Sequence, residues 1–148
     1  MRTMWTVITA FAFAATAAQA DTKTFGSIIG DAAKIQRDAE AISSQLKLKS
    51  PDYDLVKTKS ADLSKDIQEL RDDLAAFESS HPNLTGQQKK DWEMVKTKAE
   101  LLLIFSDTKN SLLNSGDLQK NRAMLRAYSD GIAKRAAMLQ QTAKKLDR

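Results

Sequence analysis

The chain has 148 residues, no cysteine, and 23 Lys and Arg against 19 Asp and Glu, a formal charge of +4. The missing cysteines exclude disulfides, thiolate metal sites, covalently attached c-type haem and a lipidated cysteine anchor. So mild a positive excess does not suit a nucleic-acid binder, and the function classes kept below are non-nucleic-acid ones.

In chain order, the N-terminus predicts export. Met1-Arg2-Thr3 gives a short positive start, Met4 to Ala15 an apolar stretch, and Ala18-Gln19-Ala20 the small-x-small pattern of a signal-peptidase site. The apolar run falls short of the roughly 20 residues a spanning helix needs. Residues 1–20 therefore read as a signal peptide cleaved after Ala20, and residues 21–148 as a single periplasmic or secreted domain. Loss of Arg2 leaves 22 basic residues against 19 acidic ones. A chain of this size can build a core and rest on packing alone. Asn83-Leu84-Thr85 also fits a glycosylation sequon, which matters only in a eukaryotic host, whereas the leader has a bacterial look.

Four helices follow. Over Ser27 to Leu48, Ile28, Ala32, Ile35, Ala39, Ile42 and Leu46 alternate steps of four and three, a heptad seam. Ser50-Pro51 ends this helix and starts the next, with Ser50 as expected N-cap and Pro51 at the first helical position. The second helix, Pro51 to Glu78, carries the seam Tyr53, Val56, Ser60, Leu63, Ile67, Leu70, Leu74 and Phe77. Ser79 to Asn83 is turn chemistry, and Thr85 with Gln88 predicts a capping box for the third helix. That helix runs to Asn114-Ser115-Gly116. It holds the run Leu101 to Phe105, and its broad apolar stripe predicts a central helix enclosed by the others. The fourth, Asp117 to Lys145, has Leu118, Leu125, Ile132, Leu139 and Leu146 at strict sevens. Long helices with short connections predict an all-α, antiparallel up-down-up-down four-helix bundle. Residues 51–80 carry 4 basic and 8 acidic residues, and residues 115–148 carry 8 and 3. That polarity could set the pairing of the two helices or create two oppositely charged faces.

Residues able to carry chemistry are scarce. His81 is the only histidine and falls in a loop; the Glu-x-x-His pairs of di-metal bundles are absent. Met94, Met124 and Met138 lie on or beside apolar stripes and read as core filler rather than haem ligands. No Ser-His-Asp or Cys-His set and no Gly-rich phosphate loop appears, so a non-enzymatic protein without a cofactor is expected. Two features depart from a plain bundle. Asn121, Tyr128, Arg135 and Thr142 form a polar row at sevens, expected at the core edge, with Arg135 snorkelling or pairing with Asp31 or Asp38; the alternative is a polar groove for a ligand or partner. Ile104 points away from Leu102 among polar residues and, flanked by Leu101 or Leu103, marks a candidate contact face.

Leu84-Thr85-x-x-Gln88 resembles the L-T-x-x-Q signature of the Spy-like periplasmic chaperones, small cysteine-free helical proteins that bind unfolded clients without ATP. The match spans five residues, and the second copy usual in that family is absent. Three function classes result: an exported bundle that binds a protein partner, or itself, through a helical face; a Spy-like client-binding chaperone; and a small-ligand or haem carrier. A membrane-surface role has only the basic fourth helix behind it.

Overall fold

The computed structural model describes residues 24–148; the expected signal peptide and its cleavage after Ala20 lie outside the described residues. Four helices pack together: α1 (Phe25–Lys47), α2 (Tyr53–Ser80), α3 (Gly86–Asn114) and α4 (Leu118–Leu146). Among the described residues there is no strand, and no helix is long and apolar enough to cross a membrane.

The seams read from sequence on α1 and α2 are the buried ones, except that Tyr53 at the start of α2 is only half-buried. Ile28, Ala32, Ile35, Ala39, Ile42 and Leu46 meet Val56, Leu63, Ile67, Leu70, Leu74 and Phe77 in one core cluster. α4 adds Leu125, Ile132, Leu139 and Leu146, with Ala133, Ala136 and Ala143 between them. Those alanines let α4 approach closely, and α4 packs most intimately of all, against α1 and α3.

The helix starts differ in detail. Asp52, not Ser50, caps α2, its carboxylate accepting from the Leu55 amide at 2.9 Å. A charged acceptor at the positive end of a helix outcompetes a hydroxyl, and Pro51 is left outside. Thr85 does cap α3, but its side chain makes no capping bond. The next residue, Gly86, has φ of +56°, so the first turn departs from the geometry a capping box needs. The capping box is at α1 instead, where Thr24 and Ser27 exchange side-chain and backbone bonds of 3.1 and 3.2 Å.

Cross-helix contacts fix the neighbours. Ser43 donates to Asp130 at 2.5 Å and Gln140 to Gln36 at 2.8 Å, joining α1 and α4. Ser64 meets Ser106 at 2.8 Å, Arg71 meets Glu100 at 3.0 Å and Lys96 meets Glu78 at 2.7 Å, joining α2 and α3. Lys34 is held between Asp66 of α2 and Asp38, which raises its pKa above the ordinary lysine value, chiefly through the Asp66 bond. The acidic α2 and the basic α4 do not pair: each packs on α1 and α3, at opposite corners. The charge polarity therefore produces two opposed faces.

Candidate functional site

α3 is a corner helix and not an enclosed centre. Its core residues are Trp92, Val95, Ala99, Leu102, Ser106, Lys109 and Leu113, alternating steps of three and four. This register takes Ser106 and Lys109 inside and leaves Leu101 and Ile104 exposed, at 37% and 55%. A run of five apolar residues cannot all face one way on a helix, and the strict seam decides which are left out.

The methionines overturn the expectation of core filler. Met94, Met124 and Met138 are all exposed, at 42%, 50% and 44%. Met94 and Leu101 stand one heptad apart, with Leu101 four residues before Phe105, which packs on α4. Met124 and Met138 each lie a heptad from Gly131, whose backbone abuts the Phe105 ring. The outer seam between α3 and α4 is thus fringed by Met94, Leu101, Met124 and Met138, with Ile104 farther round α3. Lys120 and Lys134, both exposed, stand four residues before Met124 and Met138 and give the seam a basic edge.

The polar row of α4 sits under this seam as a core boundary. Asn121 donates to the Ser115 hydroxyl at 2.6 Å and the Leu112 carbonyl at 3.4 Å, closing the α3–α4 turn. Tyr128 meets Phe105 edge-on with centroids 5.4 Å apart. Arg135 pairs with neither Asp31 nor Asp38; its guanidinium lies 3.8 Å over the Phe105 ring and donates to the Gly131 carbonyl at 3.2 Å. The row faces α3, where the ring offers a cation–π partner, and not α1. Thr142 is buried and donates back to the Met138 carbonyl. Three of the row's side chains hold one edge of α3 in place. Gly131 is part of this clamp: an added Cβ would sit 2.6 Å from Phe105 Cε1. Gly131→Ala is expected to destabilise the fold by about 1–3 kcal/mol through overpacking, against the gain of roughly 1 kcal/mol that alanine brings to a helix interior. Thermal unfolding checks this, and an unchanged or higher midpoint would mean that the ring swings clear.

Several residues were not singled out from sequence. Arg122 caps the C-terminus of α1, donating from Nε to the Leu46 carbonyl at 2.7 Å and from its other nitrogen to Leu48. His81, read from sequence only as a loop residue, caps α2 and stacks on Phe77 with centroids 4.0 Å apart. Lys109 is fully buried with no hydrogen-bond partner at Nζ, and burial lowers its pKa from 10.5 to about 8. Its place in the seam, three after Ser106 and four before Leu113, is the signal that could have found it.

Among the described residues, no group of three or more His, Asp or Glu is placed to hold a metal ion. His81 lines a cavity with Glu78, Pro82, Leu84, Lys89, Trp92 and Glu93, and none of the three exposed methionines is among its walls. Compared with known proteins, the chain matches no family model, no curated protein and no solved structure.

Proposed function

We propose that this is an exported, non-enzymatic four-helix bundle that binds a protein partner through the outer α3–α4 seam. In this reading the leader is cleaved after Ala20 and the helices run up-down-up-down. The rising numbers of Gln36 and Ser43 against the falling ones of Gln140 and Asp130 support that direction.

The observation that carries the reading is the distribution of exposed apolar side chains. Among the described residues, five of the seven large ones lie on α3 and α4, and the other two, Leu48 and Leu55, flank the α1–α2 connection. The basic edge at Lys120 and Lys134 favours a partner segment whose apolar anchors are flanked by acidic residues. The three methionines also favour the client-binding chaperone as second reading, because a flexible, polarisable side chain adapts to many partners.

A photo-crosslinking residue at position 101 tests this in the producing cell, with position 69 on the exposed side of α2 as control. Protein recovered from the periplasm with Asp21 at its N-terminus should give adducts from 101 and none from 69. One discrete adduct indicates a dedicated partner, a doubled mass a second copy, and a ladder of masses the chaperone reading. With the crosslinker kept at 101, Met94→Lys with Met138→Lys should remove the adducts and cost about 30-fold or more in affinity, with helicity intact. Equal adducts from both positions would sink the proposal.

A further inference from the structure

The outer α3–α4 seam has a periodicity of its own. Two residues after the core positions of α3 come Met94, Thr97, Leu101, Ile104, Thr108 and Ser111, a second row at steps of three and four. All are exposed except the half-buried Thr108. On α4 the same offset from Leu125, Ser129, Ile132 and Ala136 gives Ala127, Gly131, Lys134 and Met138, and Met124 continues that row one heptad before Gly131. Packing within the bundle accounts for one such row per helix. A second row is the pattern of a helix that has another helix lying along it. The same offset on α1 gives Lys34, Arg37, Ala41 and Ser44, and on α2 Asp62, Lys65, Glu69 and Asp72, which are plain solvated faces.

The two apolar rows flank one trough. Phe105 of α3 meets Tyr128 of α4 and lies against the bare backbone of Gly131, so its half-buried ring forms the floor between the rows. Ala127 and Gly131 keep the α4 side low between the long side chains of Met124 and Met138. Charge narrows the occupant. Continued to Lys90 on α3 and to Lys120 and Lys145 on α4, the rows hold four lysines, counting Lys134, and no Asp or Glu. A second copy seated face to face would set lysine against lysine, and the outer rows of α1 and α2 offer it no large apolar anchors.

Resting on the seam as the binding face, we propose that its occupant is an amphipathic α-helix of another protein, with apolar residues at heptad spacing and Asp or Glu beside them. It lies along the trough as a fifth helix, in the helix-in-groove manner. Met124 to Met138 covers roughly 21 Å at 1.5 Å per residue, so the docked helix needs about four turns.

The probe is a synthetic peptide of about 18 residues with Leu at a and d, Glu at e and g, and a terminal fluorophore; the glutamates also keep it from pairing with itself. Titrated with the full mature protein and followed by anisotropy, it should bind with Kd of about 10 μM and gain helicity. Lys134→Glu should weaken it at least tenfold and strengthen a peptide with Lys at e and g, while Glu69→Lys changes neither. Both positions are exposed, so both variants keep the fold. The inference is overturned if the peptide does not saturate, if a version interrupted by proline binds as tightly, or if wild type takes the Lys-flanked peptide equally well. It is overturned too if the protein binds phosphatidylglycerol vesicles, or dimerises through the seam, in place of taking the peptide. Failure of the peptide while position 101 still gives discrete adducts would remove only the helical occupant; loss of those adducts would remove the seam itself.

Discussion

Lys109→Met is expected to stabilise the ligand-free protein by about 3 kcal/mol at pH 7, raising the thermal midpoint by roughly 10 °C. The lysine sits in the core seam of α3 with its Nζ unpartnered, and burial alone lowers its pKa from 10.5 to about 8. Below pH 8 the amine is charged in both the folded and the unfolded chain, so the folded state bears the whole desolvation cost. Between pH 8 and 10.5 the folded amine is neutral while the unfolded chain still binds a proton. The unfolded state then holds more protons, and stability rises with pH across that window. Methionine keeps the length and flexibility of the lysine stem without the charge. Midpoints of wild type and variant, measured from pH 7 to 10.5, should converge as the wild type climbs. A variant no more stable than wild type at pH 7 would show that Nζ is satisfied, for example by a retained ligand.

Trp92→Ala carries the largest expected loss, about 3–5 kcal/mol, a large part of what a domain this size commonly has. Trp92 is fully buried at the end of the bundle where α2 turns into α3. Its ring meets Phe77 with centroids 4.7 Å apart and Phe25 at 6.2 Å, and Phe77 in turn carries the stacked His81. Removing it unsupports three aromatic neighbours from two other helices and the connecting turn. Trp92→Phe should cost less than half as much. Phenylalanine refills most of the volume and also removes the indole N–H, which is buried without an acceptor. Urea unfolding followed by circular dichroism separates the two variants. Equal losses would mean that the indole N–H is bonded in solution, to water or to a ligand.

Much of the architecture was legible in the residues. The alternating steps on α1 and α2 and the sevens of α4 named most of the core, because burying one face of a helix leaves a periodic trace whatever the partner is. Gly116, with φ of +93°, ends α3 where the sequence placed its stop, since few other residues adopt that backbone. Ile104 was identifiable as an exposed apolar position, while Asn121, Tyr128 and Arg135 were identifiable as an edge without the element they face. The tertiary structure alone decided the rest. It set the register of α3, which buries Lys109 and exposes Leu101, and it turned the three methionines outward. It also put Arg135 over Phe105 and placed α2 diagonally from α4. A sequence records which positions repeat, but apolar residues outnumber the places one face can take. Which of them face solvent depends on how closely alanines and Gly131 let the neighbouring helices approach, a property of pairs of helices and of no single one.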